Sequence, residues 1–268
     1  MKEAFVAAAI QMVSGASLQD NLAEAGRLIG VAAERGARLA ALPEYFCLMG
    51  KRETDKLAIA ENPGEGIIQD YLAGLAREHN IWLSCGSIPL VSPDNGRVFN
   101  TQLIYDPSGK QIARYDKIHL FSFTRGEESY DEARGIVPWK SIARVETDLA
   151  TLGLSICYDL RFPELYRALG EVDLILVPSA FTYTTGKAHW EILLRARAIE
   201  NQCYVLAPAQ GGRHENGRRT WGHSMLIDPW GDVMDVLPEH AGIVSGTIDP
   251  QRLQEVRQSL PALRHRTI

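Results

Sequence analysis

Residues 152–165 read LGLSICYDLRFPEL. The first five positions alternate large apolar residues with small ones, which is the period-two pattern of a strand with one buried face. Pro163 is suited to the first turn of a helix, and Asp159 lies upstream, where it could cap that helix. Cys157 is therefore predicted at the end of a strand, just before a sharp turn into a helix.

A thiol at this position has two interpretations. Backbone N–H groups at a helix N-terminus stabilise negative charge, so they help Cys157 to lose its proton and become the nucleophilic thiolate. A lone cysteine, however, is more often a buried structural side chain. The rest of the chain favours the reactive interpretation.

The composition limits the classes of function. A chain of 268 residues with 46% hydrophobic and 23% charged residues is typical of a soluble globular protein. The net charge of −5 argues against a nucleic acid or an anionic membrane as the partner. The apolar run 4–10 is too short to span a membrane, and Glu3 is unlike a signal peptide. Four dispersed cysteines without a CxxC pair predict a reducing, cytoplasmic location.

Strand and helix patterns alternate along the chain. Strands are predicted at 5–12, 38–42, 81–90, 172–178 and 203–209. Helices are predicted from a cap at Ser17 or Asp20 to residue 35, at 66–79 and at 187–202. Two hairpins, with Pro and Gly placed for type I turns, join 101–105 to 111–115 and 224–227 to 233–236. The chain thus has two halves of alternating strands and helices, each with one hairpin. This pattern predicts an α/β fold with two mixed sheets packed face to face and helices on both outer faces. Because no Pro/Gly/Ser linker separates the halves, residues 1–268 are predicted to form a single domain.

Three polar residues follow predicted strands directly or within a few positions: Glu44, Lys117 and Cys157. Groups at the ends of strands converge in a crevice of layered sheets, so these three are expected to share one site. There the thiol would attack, the carboxylate would move protons, and the ammonium would neutralise an oxyanion.

Three segments, in the same order, resemble the signature segments of the nitrilase superfamily of carbon–nitrogen hydrolases. They are PE at 43–44, YDKIHLF at 115–121 and CYDLRFPE at 157–164. The resemblance implies a four-layer α-β-β-α sandwich and chemistry that needs neither a metal nor an organic cofactor. It places the superfamily's catalytic triad on Glu44, Lys117 and Cys157. It also places the backbone N–H of Tyr158 in the oxyanion site.

The resemblance further implies a second glutamate between the lysine and the cysteine. Glu128 is the better match for it, and the neighbouring Glu127 is the alternative. This residue is expected to position Lys117 and the nitrogen of the substrate.

Motifs in the C-terminal half narrow the range of possible substrates. QGGRHE at 210–215, WGHSM at 221–225 and DPWG at 228–231 are similar to the superfamily branch of deaminated glutathione amidases and ω-amidases. The branch implies hydrolysis of the terminal amide of a small carboxylate-bearing substrate to acid and ammonia, through a cysteinyl thioester. An anionic substrate requires a cation in the pocket, and Arg213 is the hypothesis. The other substrate-binding candidates are Arg218, Arg219, Lys187, Phe181 and Thr182.

Several alternatives stay open. A nitrilase or an N-carbamoyl amidase would use the same triad, and an interaction protein could have kept the fold without activity. A Cys–His hydrolase using His189 or His223 would leave Glu44 and Lys117 without a role. The spacing of the histidines does not match a zinc site. Members of the superfamily commonly pair, which implies a homodimer or a larger homo-oligomer.

Overall fold

The computed structural model describes residues 1, 3–52, 54–126 and 128–267. Within them the strands are β1 (Phe5–Gln11), β2 (Ala37–Ala41), β3 (Trp82–Ser84), β4 (Ile88–Val91), β5 (Val98–Tyr105), β6 (Gln111–Asp116), β7 (Ser122–Arg125), β8 (Glu128–Asp131), β9 (Ala143–Glu146), β10 (Thr151–Leu154), β11 (Leu174–Leu176), β12 (Tyr204–Ala207), β13 (Gly211–Arg213), β14 (Arg219–Trp221), β15 (Ser224–Ile227), β16 (Val233–Leu237) and β17 (Gly242–Ile248). The α-helices are α1 (Leu18–Glu34), α2 (Asp55–Ala58), α3 (Ile67–His79), α4 (Pro163–Ala168), α5 (Tyr183–Asn201) and α6 (Pro250–Ser259). Short 3₁₀ helices cover Glu132–Arg134, Cys157–Arg161 and Ala262–His265. None of the helices in this part of the chain combines the length and the apolar composition that crossing a bilayer requires.

Two mixed sheets form the centre of the fold. The first has the strand order β17-β1-β2-β3-β5-β4, with β6 paired to β5. The second has the order β16-β15-β12-β11-β10-β9. Two separate ribbons, β7–β8 and β13–β14, lie outside these sheets. Because β1 pairs with β17 along its whole length, the first and last strands of the chain are neighbours in one sheet.

The period-two pattern of β1 separates two apolar cores. Ala7 and Ala9 contribute to the core between the sheets, together with side chains of β10, β11 and β12. Ala8 and Ile10 point the other way, into a second core covered by α1 and α3. Helices α4 and α5 cover the outer face of the second sheet. The predicted α-β-β-α sandwich is thus confirmed.

Side-chain caps set where two helices begin. Ser17, and not Asp20, caps α1, because the Ser17 hydroxyl accepts a hydrogen bond from the N–H of Asp20 at 3.3 Å. Helix α5 begins four residues before its predicted start at Lys187. There the Thr182 hydroxyl accepts from the N–H of Thr185 at 3.3 Å. The extra turn brings the start of α5 next to the end of β14.

The strand predicted at 81–90 is broken into β3 and β4 by a turn at Gly86. Gly86 has φ +65°, and a Cβ there would lie 2.1 Å from the carbonyl oxygen of Pro43. Only glycine allows so close an approach of the two backbones. The segment that carries Glu44 is thereby held against the first sheet.

Asp159 does not cap the helix that begins at Pro163, which corrects the prediction. Its carboxylate is buried and accepts hydrogen bonds from the N–H of Ile156 at 2.9 Å and the hydroxyl of Tyr115 at 2.7 Å. It also accepts from the N–H of His119 at 3.0 Å. Asp159 therefore ties the segment that follows β6 to the loop that carries Cys157.

Candidate active site

Glu44, Lys117 and Cys157 meet between the two sheets. Glu44 and Lys117 follow β2 and β6 of the first sheet, and Cys157 follows β10 of the second. Lys117 Nζ donates to Glu44 Oε1 at 2.9 Å, and both side chains are buried. The Cys157 thiol is close enough to both groups for their charges to change its pKa. The structure thus brings together the three residues that the sequence placed in one site.

The backbone at Cys157 has a left-handed conformation with φ +51°. Its N–H donates to the carbonyl oxygen of Pro178, 3.0 Å away at the end of the neighbouring strand segment. Such a conformation costs energy in a non-glycine residue, and strained residues of this kind cluster at functional sites. The next N–H, that of Tyr158, has no acceptor among the described residues and is available to a ligand.

A glutamate that the sequence analysis missed occupies the position expected for Glu128. Lys117 Nζ donates to Glu132 Oε1 at 2.9 Å and to Glu132 Oε2 at 2.7 Å. Glu128 instead accepts a hydrogen bond from the Thr184 hydroxyl at 2.8 Å, and Glu127 lies outside the described residues. The prediction of Glu128 is corrected to Glu132.

The path of the β7–β8 ribbon explains why Glu132, and not Glu128, contacts Lys117. The chain leaves Lys117, runs through the ribbon and returns only at the 3₁₀ helix Glu132–Arg134. Asp131 caps that turn by accepting from the N–H of Ala133, and Gly135 ends it. An aspartate followed four residues later by glycine is a signal for a short capped turn, but it does not indicate that Glu132 reaches Lys117.

Glu132 and Glu44 differ in how many of their acceptor positions are occupied by hydrogen-bond donors. Glu132 Oε1 accepts from Lys117 and the Tyr45 hydroxyl, and Glu132 Oε2 accepts from Lys117 and the N–H of Phe121. Each oxygen offers about two lone-pair positions, so Glu132 has none left among these contacts.

Only one carboxylate oxygen of Glu44 has both of its acceptor positions occupied. Oε1 accepts from Lys117 and from Asn100 Nδ2, each at 2.9 Å. Oε2 accepts from the N–H of Ala180 at 2.9 Å, which leaves one position open. Glu44 Oε2 is therefore the carboxylate oxygen of this cluster that can receive a proton.

Burial and charge shift the pKa values of the cluster. Burial raises the pKa of Glu44, and the charge of Lys117 opposes this only in part. Burial would raise the pKa of Glu132 as well, but the Lys117 ammonium lowers it below its ordinary value. Burial would lower the pKa of Lys117, yet Glu132 and Glu44 together raise it well above the usual range. Lys117 is thus held as an ammonium between two carboxylates.

The pKa of Cys157 is also raised, mainly by burial and then by the negative charge of Glu44. This corrects the expectation that its place at a helix N-terminus would make Cys157 lose its proton easily. The helix here is one short 3₁₀ turn, and its partial charge is outweighed by burial and by Glu44. The resting side chain is a thiol that needs a base.

Cys157 lines two adjoining cavities, whose walls share Phe121, Cys157, Ala180 and Thr182. The larger one, here called the polar lobe, is lined by Glu44, Tyr45, Met49, Lys56, Phe121, Tyr130, Asp131, Glu132, Cys157, Ala180, Thr182, Arg218, Arg219 and Thr220. The smaller one, here called the apolar lobe, is lined by Phe121, Cys157, Tyr158, Arg161, Ala180, Phe181, Thr182 and Thr185. The predicted substrate-binding residues Phe181 and Thr182 both lie in these walls.

Arg213 does not lie there, which corrects the hypothesis for the cation. It is exposed on β13 and is not among the residues that line either lobe. Arg218 and Arg219 line the polar lobe, but Arg219 is held by Glu239 at 2.9 to 3.1 Å. Lys187 lines a separate hollow beside α5.

The histidines of the Cys–His alternative are used elsewhere. Neither His189 nor His223 is among the described residues that line the two lobes. His189 Nδ1 lies 3.2 Å from a guanidinium nitrogen of Arg161, and His223 Nδ1 lies 2.8 Å from the carbonyl oxygen of Trp221. The carboxylate beside Cys157 is that of Glu44.

Comparison with known proteins identifies a family. The family model described as carbon-nitrogen hydrolase matches residues 6–258. A deaminated glutathione amidase from Synechocystis sp. is 42% identical over 268 residues, which is 98% of each chain. Nit3 from Saccharomyces cerevisiae, a member of branch 10 of the nitrilase superfamily, superimposes with a TM-score of 0.89 at 28% identity and covers 99% of this chain and 97% of its own. A mutant of the amidase from Nesterenkonia sp. AN1, with acrylamide added to its active-site cysteine, gives 0.78 at 27% identity over 96% of this chain and 98% of that one.

Proposed function

The chain belongs to the carbon-nitrogen hydrolase family, and we propose that it is a thiol-dependent amidase acting on small carboxylate-bearing amides. The supporting observation is the cluster in which Lys117 Nζ lies 2.9 Å from Glu44 while Glu44 and Cys157 line one cavity. Within the proposal Glu44, Lys117 and Cys157 are the catalytic triad, and Glu132 replaces Glu128 as the second glutamate.

The first step is attack on the amide carbonyl. The Cys157 thiol passes its proton to the open position on Glu44 Oε2 as the sulfur bonds to the carbonyl carbon. The negative charge that develops on the carbonyl oxygen is stabilised by Lys117 and by the N–H of Tyr158. Removing one donor from such an oxyanion site typically costs about 3–4 kcal/mol of barrier.

Lys117 can serve the oxyanion because Glu132 holds it with two hydrogen bonds. One of these N–H groups can turn to the oxyanion while the other keeps the ammonium in place. Glu44 then gives its proton to the departing nitrogen, and a thioester forms on Cys157. In the second half of the reaction Glu44 takes a proton from water as the water attacks the thioester. The C–S bond then breaks, the acid is released, and the Cys157 sulfur takes the proton back from Glu44.

Replacing Glu132 with glutamine is expected to lower kcat roughly 10²-fold, with KM changed less. The amide cannot accept on both sides, so it disturbs the two hydrogen bonds that hold Lys117 and removes one negative charge beside it. Glu128→Gln is the matched control and is expected to change kcat less than about threefold, since Glu128 contacts Thr184. Steady-state kinetics of both variants check this. A larger loss in Glu128→Gln than in Glu132→Gln would restore the original assignment.

The substrate class follows from the polar lobe and from the relatives. The lobe carries the cations Lys56, Arg218 and Arg219 at its wall, and the Synechocystis relative is named for deaminated glutathione. We therefore propose deaminated glutathione or a related 2-oxo-acid ω-amide as the substrate.

A substrate panel tests this proposal. The purified protein is assayed with deaminated glutathione, with ω-amides of 2-oxo acids, with an N-carbamoyl amino acid and with an aliphatic nitrile, and the released acid is measured. We expect the highest kcat/KM among the 2-oxo-acid amides. Preference for the nitrile or the carbamoyl compound would assign another activity of the superfamily. Absence of any turnover would favour the interaction protein.

The proposal also covers the domain organisation, the location and the oligomeric state of the enzyme. We propose a single hydrolase domain over residues 1–268, supported by the family match and by the pairing of β1 with β17. The four cysteines are free and buried, as expected of a cytoplasmic protein. Ile192 and Ile199 on α5 are 71% and 48% exposed, which supports association of copies through this helix. Sedimentation of the purified protein measures the resulting homo-oligomer.

A further inference from the structure

Gln210 is the first residue of QGGRHE, the segment at 210–215 that takes no part in the proposed reaction. It follows β12 of the second sheet and precedes β13. Its side chain is completely buried. A buried amide must find hydrogen-bond partners inside the protein, so those partners define what Gln210 does.

The side-chain amide of Gln210 bonds to two loops that follow strands of the first sheet. Its Oε1 accepts from the N–H of Ser14 at 3.1 Å, and its Nε2 donates to the Ser14 hydroxyl at 2.8 Å. The same Nε2 donates to the main-chain carbonyl oxygen of Glu44 at 3.2 Å. No other donor to that carbonyl oxygen is found in the part of the chain that the structure describes. Because Glu44 lies in a turn outside the strands, this bond fixes its main chain to the second sheet.

The main chain of Gln210 bonds to the segment 178–180, which lies between the thiol and the base. The N–H of Gln210 donates to the carbonyl oxygen of Ser179 at 2.9 Å. The first carbonyl oxygen of the segment accepts from the N–H of Cys157 at 3.0 Å. The last N–H of the segment donates to Glu44 Oε2 at 2.9 Å. One residue thus contacts the main chain of the base and the segment that contacts both reacting side chains.

This contact matters because Glu44 follows a strand of the first sheet and Cys157 a strand of the second. We propose that Gln210 is a positioning residue that fixes the distance between the Glu44 carboxylate and the Cys157 thiol across the two sheets. The inference rests on the proposed function only for the role of Glu44 as the base. Proton transfer requires heavy atoms about 2.6–3.2 Å apart, and a misplacement of about 1 Å can lower a rate roughly 10²-fold.

The test compares two buried glutamines with equivalent hydrogen bonds. Gln11 is also completely buried, and its amide donates to the carbonyl oxygens of Pro238 and His240 and accepts from the N–H of Ser224. Gln11→Met and Gln210→Met should therefore lower the melting temperature by similar amounts. Gln210→Met should also lower kcat about 10- to 10²-fold with a smaller change in KM, whereas Gln11→Met should keep kcat within about threefold of the wild type.

The pH profile of kcat/KM distinguishes positioning from a general loss of structure. When the main chain of Glu44 shifts, its Oε2 loses the hydrogen bond from the segment 178–180. That bond favours the ionised carboxylate, so its loss raises the pKa of Glu44. The charged or titratable groups that face Glu44 are Lys117, Glu132 and Cys157, and both variants keep them. The acidic limb should therefore move to higher pH in Gln210→Met and stay in place in Gln11→Met.

A milder variant covers the case in which Gln210→Met does not fold. Ser14→Ala removes one hydroxyl, which accepts from Gln210 Nε2 and donates to the carbonyl oxygen of Phe46 at 2.8 Å. We expect the acidic limb to move in the same direction by a smaller amount. A limb that stays at its wild-type position in Ser14→Ala, with Gln210→Met unfolded, would overturn the inference.

A measurement without turnover separates this inference from the proposed function. The rate at which iodoacetamide alkylates Cys157 is measured against pH in the same variants, because this rate also depends on the base. Slower alkylation with an acidic limb at higher pH in Gln210→Met, but not in Gln11→Met, supports the positioning role even if no amide is hydrolysed. Wild-type kcat and an unmoved limb in folded Gln210→Met protein, or equal effects in Gln11→Met, would overturn the inference and leave the amidase proposal standing.

Discussion

Cys157→Ala is expected to abolish amide hydrolysis while the protein stays folded. Removing the nucleophile of a hydrolytic triad lowers kcat by roughly 10⁶, which brings turnover to the assay background. Thermal unfolding should change little, because the substitution removes one sulfur atom and keeps the hydrogen bond from the Cys157 N–H to Pro178. The measurements are acid release and a melting curve. Hydrolysis that persists in a highly purified, folded variant would remove the thioester mechanism.

Alkylation of the same thiol distinguishes an enzyme from a silent relative. The other three cysteines, Cys47, Cys85 and Cys203, are buried, and burial raises the pKa of each, to about 12 for Cys85 and Cys203. A small electrophile such as iodoacetamide should therefore label the folded protein at Cys157 alone. Because the pKa of Cys157 is also raised, labelling near neutral pH depends on Glu44 as the base. Cys157→Ala, used as the control, should take up no label.

The arrangement of the sheets could be predicted because it depends on local patterns. The continuous apolar run of β1 and the alternation of apolar residues in β10 identify strands, and polar residues after strands mark the edge where a site forms. Glu44, Lys117 and Cys157 follow from this reasoning, since each is fixed by the end of its own strand.

Glu132 could not be placed in the same way. Its position depends on the length and direction of the β7–β8 ribbon, which carries the chain away from Lys117 and back. Resemblance to signature segments gives the order of the residues but not the path of the loop between them. The sequence therefore places the glutamate four positions too early.

The pKa shifts and the substrate cation also depend on packing that the sequence does not display. Proximity to a helix N-terminus suggested an easily ionised Cys157, but burial between the sheets has the opposite and larger effect. Arg213 is suggested by its neighbours in sequence, but its place on β13 keeps it out of both cavities.

Glu44→Gln is expected to lower kcat/KM by about 10²–10⁴, the range for losing a general base. The glutamine oxygen can still accept from Lys117 and Asn100 at the position of Oε1. Its amide nitrogen would then face the N–H of Ala180, where Oε2 now accepts at 2.9 Å. The variant therefore lacks both the open lone pair and one hydrogen bond.

The pH dependence of kcat/KM tests whether Glu44 is the base that the Glu44→Gln variant lacks. In the wild type the base must be ionised, and burial raises its pKa above the ordinary 4.5, so kcat/KM should fall as the pH drops through this raised value. The pKa of Lys117 is raised well above 10.5, so its ammonium, and hence activity, should persist far into the alkaline range. In Glu44→Gln the acidic limb should disappear together with the rate. An acidic limb that survives unchanged in this variant would show that another carboxyl group, and not Glu44, takes the proton of Cys157.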